Sequence, residues 1–195
     1  MRSVSLVSVL VLGFFVSASA AQATTWKVDQ SHTTIGFSVS HLFTSVQGRF
    51  DRFEGTVDFD PSKPEATSVR GTAEAASINT NNSKRDKHLR SGDFFDVEKF
   101  PTLTFESRAL TGWANNRGKL SGTLTIHGVS REVELDVSFL GSGKDPWGNE
   151  RAGFKASVVI DRRDYGLKWN EVLETGGFLV GDEIEIRIDA EGLLE

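Results

Sequence analysis

Apolar and polar residues alternate one by one along most of this chain, and this period of two constrains its fold more than any other feature. Clear examples run from Ile35 to Val39, from Val133 to Phe139 and from Ile184 to Ile188. Successive side chains of a β-strand point to opposite faces, so the pattern places one set in a core and the other in water. The alternation therefore predicts antiparallel strands with one solvated face.

Turn-forming residues separate the alternating segments, for example Asp60-Pro61-Ser62 and Gly141-Ser142-Gly143. No linker or internal repeat divides the 195 residues, which is typical of one domain. Because the strands follow one another without helices between them, we expect an all-β meander closed into a barrel, which leaves no exposed sheet edge. About eight strands are predicted, at residues 26–40, 46–59, 66–78, 102–110, 118–126, 130–140, 151–161 and 182–191.

Residues 81–100 interrupt the alternation. Asn81-Asn82-Ser83 are good helix-capping residues, and Pro101 stops any further helix. We therefore expect one short helix near residues 82–92, lying across one end of the barrel, with Asp86 and Arg90 paired at the i, i+4 spacing. A second short piece without strand structure is expected at residues 41–43.

The first 23 residues have the composition of a secretory signal peptide. Arg2 is their single charged residue, an apolar run extends from Val9 to Val16, and small residues lead to Ala23. The apolar run is too short to span a bilayer, which takes about 20 residues. We expect a signal peptide over residues 1–23, a barrel domain over residues 24–195, no integral membrane span and export to the periplasm.

Several classes of chemistry lack the residues they require. The chain has no cysteine, which excludes disulfides, thiolate metal sites and cysteine nucleophiles. Nucleophile-elbow, dinucleotide-binding, Walker and calcium-loop patterns are also missing, so we expect no catalytic residue and no cofactor. The formal net charge of -5 argues against nucleic acid as a partner.

The four histidines show no metal-binding spacing, and we predict no metal site, although a cluster formed only in three dimensions stays open. Acidic pairs such as Glu183 and Glu185 fall on the polar strand face, where a solvated sheet surface explains them. An exported hydrolase is the alternative. It requires His32, His41 or His88 to lie beside a buried carboxylate in a cleft.

Basic residues in the irregular segments suggest a polar opening. Arg85 and His88 either face the barrel mouth or lie on a solvated helix face. Arg163 either binds a ligand or pairs with Asp164, and Trp169 is core, plug or pocket wall. Eight-stranded barrels either fill themselves with side chains or hold one small ligand, and alternation does not decide between a solid core and a pocket.

A series of longer motifs then points to a family. Within residues 25–192 they occur in a fixed order and resemble the YceI-like proteins. The motifs are Trp26-Lys27-Val28-Asp29, Ser31-His32, Phe37-Ser38-Val39-Ser40-His41-Leu42, Val46-Gln47-Gly48-Arg49-Phe50, Phe53-Glu54-Gly55, Arg85-Asp86-Lys87-His88-Leu89-Arg90-Ser91-Gly92-Asp93-Phe94-Phe95, Phe100-Pro101-Thr102, Gly122-Thr123-Leu124-Thr125-Ile126-His127-Gly128-Val129 and Asp161-Arg162-Arg163-Asp164-Tyr165-Gly166.

The resemblance implies a lipocalin-like, eight-stranded antiparallel barrel in an exported protein. Family members hold long isoprenoid lipids, such as polyprenyl diphosphates or prenylated quinones, for carriage, storage or stress protection. The family brings no general enzyme activity, and some members form homodimers. A shared fold does not by itself determine the ligand, so an exported hydrolase and a solid-core interaction module stay as alternatives.

An isoprenoid tail is hydrocarbon, so its affinity would come from an apolar lining, with polar groups at the mouth setting its orientation. The predicted lining consists of Phe37, Val39, Phe50, Leu103, Phe105, Leu124, Ile126 and Phe154. The predicted polar mouth consists of His41, Arg49, Arg85, His88 and Arg163.

Overall fold

The computed structural model describes residues 24–174 and 176–195, and the predicted signal peptide over residues 1–23 lies outside the described residues. Within them the chain forms eleven strand segments and one α-helix. The segments are β1 (Thr24–Val28), β2 (Thr34–His41), β3 (Thr44–Phe50), β4 (Phe53–Phe59), β5 (Ser68–Glu74), β6 (Ile78–Asn79), α1 (Ser83–Leu89), β7 (Thr102–Ala114), β8 (Arg117–Ile126), β9 (Val129–Lys144), β10 (Glu150–Asp161) and β11 (Val180–Leu194).

The eleven segments form eight strands of one closed barrel, as predicted. Three predicted strands are each broken once: a 3₁₀ turn at Gln30–His32 separates β1 from β2, two residues separate β3 from β4, and a 3₁₀ turn at Ala75–Ser77 separates β5 from β6. Neighbouring strands in sequence pair antiparallel throughout. β11 closes the barrel by pairing with β10 on one edge and with β1 and β2 on the other.

The two ends of the barrel differ. At one end, which we call the far end, Phe59 packs against the rings of Trp113, Phe139 and Phe154 at centroid distances of 5.0 to 5.9 Å. At the other end, which we call the mouth end, lie α1 and the β2–β3 hairpin. Leu42 and Phe43 form the turn of that hairpin, so the expected break from strand structure falls there and His41 still belongs to β2.

The helix is shorter than predicted and is held by contacts other than the expected one. The Asn82 side chain caps it by accepting from the Arg85 amide at 3.1 Å. The buried Asp86 carboxylate accepts from both the backbone nitrogen (2.9 Å) and the hydroxyl (2.6 Å) of Thr80. The predicted Asp86–Arg90 pair is wrong because Arg90 instead donates to the backbone carbonyls of Ala76, in the 3₁₀ turn, and of Ile78, at the start of β6.

An ion-pair network ties the far end together. Nη1 of Arg151 on β10 donates to Asp29 at 2.8 Å and to Glu191 on β11 at 2.5 Å, while its Nε donates to Asp145 at 2.7 Å. His32 adds a contact of 2.8 Å to Asp29. These hydrogen bonds hold the pKa values of Asp29 and Asp145 well below the ordinary value for aspartate. We call these five residues the far-end network.

Among the described residues, no helix combines the length and the apolar character needed to cross a membrane.

Candidate ligand-binding cavity

The barrel interior holds two adjoining cavities. The deep cavity has a volume of about 230 Å³ and lies toward the far end. The mouth cavity has a volume of about 840 Å³ and extends to the surface beside α1. Phe37, Phe50, Leu103 and Ile126 line both cavities, so the two form successive compartments of one interior.

Strand alternation supplies the lining. On β2, Ile35, Phe37 and Val39 line the interior, and on β11 so do Ile184 and Ile186, which face them across the register. All eight residues of the predicted apolar lining lie on cavity walls: Phe105, Leu124 and Phe154 in the deep cavity, Val39 in the mouth cavity, and Phe37, Phe50, Leu103 and Ile126 in both. Their contact with a ligand stays a prediction.

Three of the five predicted mouth residues line the mouth cavity: His41, Arg85 and His88. Arg85 lies on the inward side of α1, where its Nε donates to the Thr80 hydroxyl at 2.7 Å and its Nη2 to the Thr80 carbonyl at 2.9 Å. Arg85 is therefore already held by the protein, with its guanidinium oriented along the cavity wall.

His88 stands at the lip of the same cavity between two aromatic rings. Its ring meets those of Phe94 and Trp169 edge-on, at centroid distances of 5.1 and 4.8 Å. Its Nε2 lies 2.8 Å from the Asp93 carboxylate, which is more than half exposed. Trp169 is thus a wall of the pocket, one of the three placements that its sequence context left open.

Arg49 and Arg163 lie elsewhere than predicted. Arg49 is exposed and pairs with Asp51 at 2.6 Å. Arg163 is also exposed and pairs with Asp161 and Asp182, not with Asp164. Arg49 has the outward parity of β3, because the next residue, Phe50, points inward. Arg163 lies beyond β10, in the 3₁₀ turn Arg162–Tyr165. The Arg163 guanidinium lowers the pKa of Asp161 to about 2.

A second arginine on the wall of the mouth cavity is Arg162, which sequence reasoning missed. It is 3% exposed, and its guanidinium donates to the carbonyls of Gly181 (2.8 Å), Leu167 (2.6 Å) and Trp169 (2.9 Å) and lies 3.3 Å from Asp182. The sequence carried a signal for this placement, because residues 154, 156, 158 and 160 point inward and position 162 continues that series into the 3₁₀ turn Arg162–Tyr165. The hydrogen bonds of Arg162 connect residues 167–169 to Gly181 at the start of β11.

The remaining polar groups around the mouth cavity divide into buried and exposed sets. Tyr165 is 1% exposed, and burial raises the pKa of its hydroxyl to about 12, so the side chain stays neutral. Lys84 and Lys87 are exposed, line the cavity and form no ion pair within residues 24–174 and 176–195. The freely available positive charge at the opening therefore lies on the outer edge of α1.

The described residues also contain one group with possible metal-ligand atoms, but a protein cation occupies its centre. Oxygen or nitrogen atoms of Asp29, His32 and Glu191 lie within 4.8 Å of one another. Arg151 donates to both carboxylates at hydrogen-bonding distance. Because a guanidinium already donates hydrogen bonds to both carboxylates, the group is an ion-pair network rather than an open metal site.

A closed antiparallel barrel of eight strands, lined by apolar side chains and open at one end, defines a hollow, lipocalin-like β-barrel protein. Within that class, the model of the YceI-like domain matches residues 26–192. The chain belongs to this family, as its motifs indicated.

Relatives and solved structures agree with this assignment. A UPF0312 protein of Pseudomonas paraeruginosa is 38% identical over 180 residues, which cover 91% of each chain. The crystal structure of a YCEI protein from Campylobacter jejuni is 33% identical, with a TM-score of 0.67 over 86% of this chain and 96% of that one. A polyisoprenoid binding domain from Saccharophagus degradans shares the fold at 16% identity, with a TM-score of 0.64 over 89% of this chain and 99% of that one.

Proposed function

We propose that this protein binds a long isoprenoid lipid, such as a polyprenyl diphosphate or a prenylated quinone, inside the barrel and does not catalyse a reaction on it. The observation that carries the proposal is the pair of adjoining cavities, whose walls are built from aliphatic and phenylalanine side chains. Small-molecule sites are commonly apolar clefts of about 300–1,000 Å³, and the mouth cavity is of that size.

The hydrocarbon tail and the polar head of such a lipid would occupy different parts of the cavity. Burial of hydrocarbon gains roughly 25 cal/mol per Å² of apolar area, so the tail would occupy the deep cavity and the inner part of the mouth cavity. The head would stay near Arg85, His88 and His41, which provide hydrogen-bonding groups at the opening. The name of the related-fold domain from Saccharophagus degradans, a polyisoprenoid binding domain, supports the same ligand class.

The biological setting is part of the proposal. Export through a signal peptide at residues 1–23 would place the barrel in the periplasm, where it would carry or store the lipid or protect against stress. No cofactor is required for such a role. Homodimer formation, which the family resemblance implies, stays a prediction.

The two alternative functions receive less support from the geometry. A solid-core module needs a filled interior, whereas this barrel contains cavities. A hydrolase needs a histidine beside a buried carboxylate in a cleft. His88 contacts the exposed Asp93. The carboxylate beside His32 is that of Asp29, which pairs with Arg151 in the far-end network, outside the cavities.

Organic extraction of the purified protein, followed by mass spectrometry, tests the proposal, and a cavity-filling substitution makes the test specific. Ala156→Trp adds a large side chain to the wall of the deep cavity, whereas Val159→Trp adds the same side chain on the exposed face of the same strand. We expect the parent and Val159→Trp to retain an isoprenoid, and Ala156→Trp to lose most of it because the tail no longer fits.

Overpacking costs about 1–3 kcal/mol, so Ala156→Leu provides a milder version, and thermal unfolding verifies that each variant is folded. An extract of the parent that contains no isoprenoid, from protein that also takes none up from solution, would contradict the proposal.

A further inference from the structure

Large apolar side chains are exposed next to the mouth cavity. Phe43 is 97% exposed, Leu42 48%, Val172 76% and Phe178 63%. We call these four residues the rim patch. Exposed apolar residues scattered singly are common on proteins, but a contiguous group beside a cavity marks an interaction site.

Backbone pairing brings the four residues together. The Leu42 amide donates to the Leu179 carbonyl at 3.1 Å, which places the tip of the β2–β3 hairpin alongside residues 178 and 179. Val172 and Phe178 form an isolated antiparallel bridge on the other side of the same segment. The rim patch therefore runs across three adjacent backbone segments.

The rim patch adjoins, along the chain, residues that line the mouth cavity. His41 and Leu179, the immediate chain neighbours of Leu42 and Phe178, both line the mouth cavity. The exposed Lys84 and Lys87 of α1 line the same cavity. Lys168 is exposed as well, and Glu171 and Glu174 are exposed within the loop that carries Val172. The opening thus combines apolar side chains with free ammonium groups, and two carboxylates partly offset their charge.

We propose that the rim patch docks the barrel onto the surface of a lipid bilayer, with the mouth cavity facing the hydrocarbon. The four exposed side chains are Phe, Leu, Val and Phe, which suits insertion into an apolar interface. A stable protein partner needs about 800 Å² of surface on each side, or about 20–30 residues, whereas the rim patch consists of four. Apolar side chains flanked by lysines are the composition of surface-bound membrane segments.

This inference goes beyond the isoprenoid proposal, which concerns the interior alone, and gives that ligand a route. A hydrocarbon chain that leaves the cavity in water exposes apolar area, whereas at a docked mouth it passes from one apolar phase into another.

The experiment is sedimentation of the full chain with vesicles, in which parent and variants share the same N terminus so that its contribution cancels. The vesicles consist of phosphatidylcholine alone or of phosphatidylcholine mixed with phosphatidylglycerol. The rim variant is Phe43→Ser with Phe178→Ser. The matched control is Leu140→Ser with Trp147→Ser, which removes apolar side chains that are 59% and 82% exposed away from the mouth.

We expect the parent and the control to bind both kinds of vesicle, and the rim variant to bind at least about tenfold more weakly. Lys84→Gln with Lys87→Gln should remove most of the preference for phosphatidylglycerol, with a loss of about fivefold per lysine. Thermal unfolding confirms that each variant is folded.

A parent that sediments with neither vesicle, or equal losses in the rim and control variants, would overturn the docking surface. The isoprenoid content of the same preparations, measured by mass spectrometry, is a separate readout. An intact lipid content together with failed sedimentation would leave the proposed function standing and remove only the docking proposal.

Discussion

Arg162 and Arg163 are neighbours in the chain with opposite environments. Arg162 is buried and hydrogen-bonds three backbone carbonyls, whereas the side chain of Arg163 is more than half exposed and pairs with Asp161 and Asp182. Burial lowers the pKa of Arg162, but guanidinium remains charged at any ordinary pH. Arg162 therefore connects segments of the mouth end, whereas Arg163 forms ion pairs at the surface.

This contrast predicts very different costs for the same substitution. Arg162→Met keeps much of the apolar stem but removes the donor from one buried and two partly buried carbonyls, so we expect a loss of about 3 kcal/mol in the free energy of unfolding. Arg163→Met removes only exposed ion pairs and should cost less than about 1 kcal/mol. Urea unfolding of the two variants measures the difference. Equal losses would mean that Arg162 is not the residue that orders the mouth.

At the scale of elements, α1 depends on one buried carboxylate. Asp86 accepts two hydrogen bonds from Thr80, and Arg85 donates two more to the same residue. A seven-residue helix is too short to be stable alone, so these contacts with the end of β6 position it across the mouth.

Asp86→Ala should therefore release the helix before the barrel unfolds. We expect a loss of about 1–3 kcal/mol, because the Thr80 amide and hydroxyl lose their acceptor, and faster hydrogen exchange at the α1 amides. Asp93→Ala is the control, since its exposed carboxylate contacts only His88. Unchanged exchange at α1 in Asp86→Ala would show that other contacts hold the helix.

The elements also show what strand parity predicts and where it ends. Alternation predicted the eight-strand barrel, and the eight residues proposed as its lining all lie on cavity walls, because one inward residue determines the orientation of its neighbours along a regular strand. The same rule turns Arg49 outward on β3, but Arg162 and Arg163 lie in the 3₁₀ turn after β10, where strand alternation has ended. It does not predict the contact of Asp86 with Thr80, which depends on how a helix without alternation folds back onto a strand end.

At the scale of the whole molecule, the far-end network makes the stability of the barrel depend on pH. Hydrogen bonds from Arg151, together with His32 for Asp29 and Asn149 for Asp145, hold the pKa values of both aspartates below 3.8, the ordinary value that the unfolded chain regains. Above that value both aspartates are ionised in both states and their stabilisation is fully present. As the pH falls below it, the unfolded chain takes up protons that the folded barrel does not, and the free energy of unfolding decreases.

The midpoint of thermal unfolding should accordingly fall steeply below about pH 4. Arg151→Met should flatten that dependence, because the two carboxyls then titrate more alike in both states. Arg187→Met, which removes an exposed pair with Glu185, should leave it unchanged. Parallel pH profiles for the parent and Arg151→Met would show that this network does not control the acid response.

The pairing of the last strand with the first two has a consequence for the time course of folding. β11 supplies the partner for β10 and also for β1 and β2, so the ring of strands stays open until Val180–Leu194 have been synthesised. Until then two sheet edges with unpaired amides and carbonyls face the surroundings. Folding is therefore completed only when residues 180–194 are free to pair, and the chain depends on this final segment to escape aggregation.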